Sequence, residues 1–277
     1  MKKEDLAALN KITDTVLAYK RGTGKGGASK DKAKNTLVKN RAAVETWSVP
    51  LQDIYDNPNL RLDATHYDRE TANALEELRK CGYPLKRLSD LADVLLPGQF
   101  ARIWAKDAEH GIRYINATDL MSLNSIGIAD ERFLSRETKT DIDELVIHKG
   151  WLLLTCSGTI GRLFYVTERL DNWVATHDLI RIIPHEGVPV GFLHAYLSSA
   201  VAQKQILGHT HGGQIDHVTH HQVGGVLVPE LPKEQVKETH KQMMDALRQR
   251  ERAIAQVSEI ADDVEQKLKK RAENAKR

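Results

Sequence analysis

The chain has 277 residues, a hydrophobic share of 41% and a formal net charge of +2. That apolar content supplies a real core and excludes a disordered protein, no run of about 18 apolar residues exists to span a membrane, and the opening MKKEDLAALN lacks the apolar stretch of a secretory signal. The charge is uneven: eight Lys or Arg against one Asp between Lys20 and Arg41 give a local +7 and leave the rest near −5, without the broad basic face of a protein that grips DNA unaided.

Residues 1–19 place Leu6, Leu9, Ile12, Val16 and Leu17 at helical intervals, which predicts an amphipathic helix. Residues 20–46 are rich in Gly and Lys and are expected to form a flexible basic linker. Their GTGKGG core is not a phosphate loop: Gly26 follows Lys25 where Ser or Thr is needed, and Tyr19 stands where the first Gly belongs. Residues 47–232 form the folded body, with a turn at Asn57-Pro58 and a helix in ETANALEELRK ending near Gly82. The stretches GIRYINATDL, ELVIHKGWLLLTCSGTIGRLFYV, WVATHDLIRIIP and QVGGVLVPELP predict strands, and VPVGFLHAYLSSAVAQKQIL predicts a helix. The fold class is therefore α+β.

Residues 233–277 change character, with no Gly or Pro. One heptad series runs His240, Leu247, Ile254, Ala261, Leu268, and the other Val236, Met243, Arg250, Val257, Val264. This pattern predicts a coiled-coil helix roughly 60 Å long at about 1.5 Å per residue. Val236, Met243, Leu247, Ile254, Val257, Val264 and Leu268 are its expected partner-helix contacts, while Arg250 and His240 interrupt the apolar seam.

Catalysis finds little support. Cys156 or Ser157 in LLLTCSGTIG could attack with His177-Asp178 as base and orienter, but the order T-C-S-G-T lacks the G-x-S-x-G elbow. A Cys in an apolar strand is ordinarily a small core residue. Cys81 and Cys156 lack a C-x-x-C or zinc spacing, which fits a reduced cytoplasmic protein. His209, His211, His220 and His221 could ligate a metal, but no H-E-x-x-H or Cys-rich partner accompanies them, so no metal site is expected.

Order and spacing become specific from Leu85 onward. The chain runs LKRLSDLADVLLPGQFARIW, HGIRYINATDL, HKGWLLLTCSGTIGRLFYV and WVATHDLIRIIP. It continues through FLHAYLSSAVAQKQILGHTHGGQIDHVTHHQVGGVLVPELPKEQ into the long helix. This succession resembles the specificity subunits of type I restriction–modification systems: an I-x-Y-I-x-x-x-D-L strand, a G-x-L-L-x-T-x-S-G-T-I-G hairpin, an H-x-L-I-R-I strand, a helix ending Y-L-x-S, a Gly-rich loop and a V-P-x-L-P-x-x-x-Q entry into a coiled coil. RLDATHYD resembles the family's entry segment, and the likeness covers roughly residues 49–260.

The resemblance implies a target recognition domain that binds double-stranded DNA and performs no chemistry itself. Gly150, Ser157, Gly158 and Gly161 fall where its strands turn and are expected to be structural. Gln99, Arg102, Lys106, Arg162, His177, His211 and Gln214 fall in or beside its loops and are the expected DNA contacts, Arg being suited to guanine and Gln to adenine. The implied partners are a DNA adenine methyltransferase using S-adenosylmethionine and, where cleavage occurs, a restriction subunit using ATP and Mg²⁺. Full specificity subunits carry two recognition domains and two long helices. This sequence shows one of each, which implies homodimerisation through the C-terminal helix and inverted half-sites. Two other classes of function are weighed against this: a coiled-coil scaffold that reads no sequence, and a Cys- or metal-dependent hydrolase.

Overall fold

The computed structural model describes residue 51 and residues 69–122, 131–138, 141–208 and 217–274. The chain divides into two units, Met1–Ser48 and Val49–Arg277, and all described residues belong to the second. The helix expected over 1–19 and the linker over 20–46 lie outside the described residues.

The described elements begin with α1 (Arg69–Lys80), β1 (Leu85–Arg87), β2 (Ala92–Leu95), β3 (Trp104–Ala105), β4 (Gly111–Ile115) and α2 (Ala117–Ser122). Next come β5 (Arg132–Ser135), β6 (Val146–Ile147), β7 (Leu152–Thr155), β8 (Leu163–Tyr165), β9 (Trp173–Ala175) and β10 (Leu179–Pro184). The chain continues through α3 (Val190–Leu197), α4 (Ala200–Gly208), α5 (His220–Gly224), β11 (Leu227–Pro229) and α6 (Lys233–Asn274).

Two sheets share the body. An antiparallel sheet runs β2-β10-β7-β8, a second runs β3-β5-β4-β9-β6, and β1 pairs with β11 as a short ribbon. Strands β7 and β10 are apolar almost throughout because both their faces are covered. On one face Leu152, Leu154, Ile180 and Ile182 pack with Phe192, Leu193 and Leu197 of α3, Ala202 and Ile206 of α4, and Val223 of α5. On the other, Leu153 and Leu179 join Ile115, Ile147 and Ala175 of the second sheet. Each buried Leu or Ile contributes about 1.5–3 kcal/mol.

One connection in this arrangement matters most for function. Within the second sheet β4 and β9 pair in parallel, Tyr114 opposite Val174 and Ile115 opposite Ala175. The Thr176 N–H then donates to the Ile115 carbonyl at 3.0 Å. Two segments about 60 residues apart in the chain therefore leave the sheet side by side at one edge.

Three local expectations are corrected. The single helix expected in VPVGFLHAYLSSAVAQKQIL is two, α3 and α4, broken at Ser198-Ser199. Ser198 is the C-cap of α3, and the Ser199 hydroxyl accepts from the Ala202 N–H at 3.4 Å, starting the second helix. QVGGVLVPELP is not wholly strand, because its start belongs to α5, where Thr219 and Gln222 form a capping box. GIRYINATDL likewise turns into α2 after Ile115, with the Asn116 side-chain Oδ1 accepting from the Asp119 N–H at 2.8 Å and Asp119 Oδ2 accepting from the Asn116 N–H at 3.0 Å.

The long helix divides into two parts. Its first half lies on its own domain, chiefly along α3. Val236 packs against the main core and Leu247 is only 6% exposed. Met243, Ile254 and Val257 are half-buried. The seam residue His240 accepts the Gly191 N–H on Nδ1 at 3.0 Å. At Gly191 a Cβ would meet the His240 carbonyl oxygen at 2.6 Å, so only glycine allows the two backbones this approach. Glu251 accepts from Arg169 Nε and Thr167 Oγ1, both at 3.3 Å. From Ser258 to Asn274 every residue is exposed, including Val264 at 51% and Leu268 at 65%. The apolar seam is thus used internally over its first half and presented outward over its second.

Candidate nucleic-acid interface

The edge where β4 and β9 emerge is a polar cleft of about 330 Å³. Arg102 and Trp104 approach it from the β2–β3 loop and β3, Tyr114 and Asn116 from β4 and its end, and Arg132 from β5. Ser157 comes from the β7–β8 hairpin, and Thr176 and Asp178 from the β9–β10 turn. Two stacked arginines flank it. Arg132 lies 5.6 Å from the Trp104 ring centre and 5.5 Å from that of Tyr114, and pairs with Asp119 at 2.5 Å. Arg102 lies 5.9 Å from Phe100 and 5.8 Å from Tyr114, and donates to Thr176 Oγ1 at 3.3 Å. Stacking on a ring face fixes a guanidinium's plane and leaves its edge N–H groups directed outward.

A hydrogen-bonded relay continues from there. Thr176 Oγ1 donates to Asp178 Oδ2 at 3.3 Å and Ser157 Oγ donates to Asp178 Oδ1 at 3.4 Å. The backbone holds this wall in place: the Cys156 N–H donates to the Asp178 carbonyl at 3.3 Å, and the Cys156 carbonyl accepts from Val218 at 3.0 Å. The hairpin that brings Ser157 here turns through Gly158 at φ +66° and Gly161 at φ +87°, a left-handed region costly for other residues. Gly150, before β7, has φ +93°.

The expected DNA contacts fall in several places. Gln99 and Arg102 are exposed on the β2–β3 loop, and Arg162 is exposed in the β7–β8 hairpin. Lys106 is exposed between β3 and β4, 3.8 Å from Asp107. His177 turns inward, its side chain 19% exposed, with its ring edge on Phe100 at 5.9 Å and Nε2 3.5 Å from Asp178. His211 and Gln214 lie outside the described residues. Trp104, Tyr114, Asn116, Arg132 and Thr176 were not expected at the site. Trp104, Arg132 and Tyr114 meet through the antiparallel β3–β5 and β5–β4 pairings, and Thr176 joins them through the parallel β4–β9 pairing. Tyr114 and Asn116 stand within GIRYINATDL and Thr176 within WVATHDLIRIIP.

The cleft is poorly equipped for covalent chemistry. Burial, with the Asp178 charge second, pushes the Cys156 thiol up to about 11, the opposite of an activated nucleophile. Among the described residues Asp107, Glu109 and His110 form a group of three potential metal ligands, their atoms within 4.8 Å of one another. Their geometry has a local explanation, since Asp107 Oδ1 accepts from the N–H groups of Glu109 and His110, both at 3.2 Å, and contacts His110 Nδ1 at 2.6 Å. The His220 and His221 rings lie tilted at 38° with centres 4.0 Å apart, and burial, then the neighbouring ring, lowers the His220 pKa. No helix among the described residues is long and apolar enough to cross a membrane.

The described residues thus form a two-sheet body that gathers arginines, an amide and hydroxyls in one cleft, with a long helix running off it. The chain belongs to the family of the type I restriction modification DNA specificity domain, whose model matches residues 83–266. None of the curated proteins matches it. Among solved structures, the type I restriction-modification S subunit from M. genitalium is 13% identical with a TM-score of 0.38, covering 58% of this chain and 38% of that one. The HsdS subunit from Thermoanaerobacter tengcongensis is 14% identical with a TM-score of 0.43, covering 76% and 50%. A chain of a type I R-M system solved for its complex assembly is 14% identical with a TM-score of 0.44, covering 92% and 65%. The chain therefore spans less than two thirds of the length of each.

Proposed function

We propose that this chain is the DNA-reading subunit of a type I-like restriction–modification complex and catalyses no reaction itself. In this reading the body, residues 83–232, binds one DNA half-site, and the complex acts in the cytoplasm. The chain directs a partner adenine methyltransferase, which brings S-adenosylmethionine, and a restriction subunit, where one joins, brings ATP and Mg²⁺. Gln99, Arg102, Lys106, Arg162, His177, His211 and Gln214 are its proposed DNA contacts. The observation that carries this is the cleft at the β4–β9 edge, where donors and acceptors are fixed on a rigid scaffold as base reading requires. The test is to map methylated adenines in cells with and without the chain. Loss of methylation at one defined motif is expected, and exchanging residues 83–232 for a relative's should change the motif. Methylation that ignores both changes sinks the proposal in favour of a scaffold.

A second copy of the chain is the proposed partner of the outer half of α6. Its exposed stripe of Val264 and Leu268 is bordered by an acidic block from Glu259 to Glu265 and a basic block from Lys267 to Arg271. Antiparallel pairing of two copies sets acid against base, whereas parallel pairing sets like against like. The resulting two-fold carries two recognition domains to inverted half-sites. Replacing Val264 and Leu268 together by Glu is expected to weaken dimerisation at least ~10-fold in sedimentation, the loss of two buried apolar side chains exceeding about 1.4 kcal/mol. Thermal stability of the body should be unchanged. A wild-type chain that stays monomeric at high concentration defeats this arrangement.

A further inference from the structure

Arg102 differs from its neighbour Arg132 in one respect that bears on specificity. Arg132 is neutralised by Asp119 at 2.5 Å, whereas Arg102 has no carboxylate partner among the described residues and donates only to a hydroxyl, Thr176 Oγ1. That hydroxyl in turn donates a hydrogen bond to Asp178 Oδ2, so a cationic donor fork and an anionic acceptor are held through one shared atom on the same wall of the cleft. Asp178 is held from its other side by Ser157.

A donor fork beside an acceptor selects among the groups DNA can offer. A phosphate suits Arg102 but is repelled by Asp178. An A·T pair presents an acceptor and a donor on adenine, so a two-pronged donor meets one wrong partner. A G·C pair presents two acceptors, guanine O6 and N7, next to the cytosine N4 amino donor. That order of groups, two acceptors and then a donor, complements Arg102 followed by Asp178.

We infer that the Arg102–Thr176–Asp178 relay reads one guanine of the target sequence, with Arg102 on its O6 and N7 and Asp178 on an adjacent amino group. The inference rests on the DNA-reading function proposed above. The amino group has two sources. In an intact duplex it is N4 of the paired cytosine. If the guanine is turned out into the cleft, it is that base's own N2, together with N1–H.

The experiment selects binding sites from randomised duplex DNA with the full chain in complex with its methyltransferase, as wild type, Arg102→Gln and Asp178→Asn. Both variants are expected to loosen the same G·C position and no other. Arg102→Gln should lower the preference for guanine there by about 10- to 100-fold, the scale of one bidentate contact. Arg102 is exposed, and Arg102→Lys, which keeps the charge and loses the fork, gives the same reading should the Gln variant fail to fold. At that position 7-deazaguanine should weaken binding. Inosine should leave it unchanged if the pair is read in the groove, and weaken it if the base is extruded. If the wild type selects a motif and the variants leave every position intact, or loosen different positions, the relay does not read guanine. If the wild type selects no motif at all, it is the DNA-reading function that fails.

Discussion

Replacing Arg181 by leucine should lower the unfolding free energy by about 3–5 kcal/mol, the scale seen when one member of a buried charged network is removed. Arg181 sits in β10 at the centre of its sheet and is 2% exposed. Its Nη1 donates to the carbonyls of Thr176 at 2.9 Å and Leu179 at 2.5 Å. Its Nη2 donates to the carbonyls of Ala175 at 2.8 Å and Leu145 at 3.4 Å. Three of these carbonyls lie where β9 ends and β10 begins, and the fourth, Leu145, precedes β6 and also accepts from the Ala175 N–H at 3.0 Å, so the guanidinium joins the two sheets at this turn. Burial lowers its pKa to about 10, which leaves it charged at neutral pH and able to donate. Leucine fills much of the space but donates nothing, and each orphaned buried carbonyl costs about 1–3 kcal/mol before water enters. Lysine, a single point donor on a shorter stem, should recover only part of the loss. Urea unfolding of the full chain measures this, and a change below about 1 kcal/mol for Arg181→Leu removes the argument. Because the same turn carries Thr176 and Asp178, a milder variant should also loosen DNA binding.

Arg181 also marks the limit of what the sequence discloses. The strand in LIRII is plain from its apolar run, but a central Arg suggests an exposed face, and nothing local says that four carbonyls await it. Strands β4, β7 and β10 are legible because the period-2 and continuous apolar patterns follow directly from burial on one or both faces. The long helix is legible for the same reason at period 3.5. What the helix touches is less so. His240 and Arg250 read as flaws in a seam between chains, yet His240 caps the start of α3, and Arg250 lines a small cavity with Phe164 and Leu170 of the same chain. Heptads record that a stripe is buried without recording against what. Some misses had a visible signal: Thr219 with Gln222 is a capping pair at the entry to one stretch read as strand, and Asn116 with Asp119 is one inside another. The cleft itself had none. Its residues come from five separate segments, gathered by the β3–β5, β5–β4 and β4–β9 pairings of one sheet and by the β7–β8 hairpin rather than by neighbours in the chain.

Acid should loosen the domain through one residue in particular, His194 in α3. Its Nδ1 is buried without a hydrogen-bond partner, and its ring faces the inner half of α6 near Arg250. Burial, and then the Arg250 charge, lower its pKa from 6.5 to about 4. In the unfolded chain the imidazole gains its proton near pH 6.5, whereas in the folded chain it stays neutral until about pH 4. Between those values the unfolded state binds more protons, so stability falls as the pH falls and the contribution is intact only above about pH 6.5. The full loss, reached below pH 4, is about 3 kcal/mol by the conversion of about 1.4 kcal/mol per unit. His194→Leu should remove that slope, since leucine has no proton to gain. The measurement is the difference in unfolding free energy between wild type and His194→Leu from pH 7 to pH 4, in which carboxylate titrations common to both cancel. The difference should grow toward acid in favour of the variant. Parallel curves would mean that the ring takes its proton without cost, through water or a shift of α6, and that α3 and the helical arm are less tightly joined than their packing indicates.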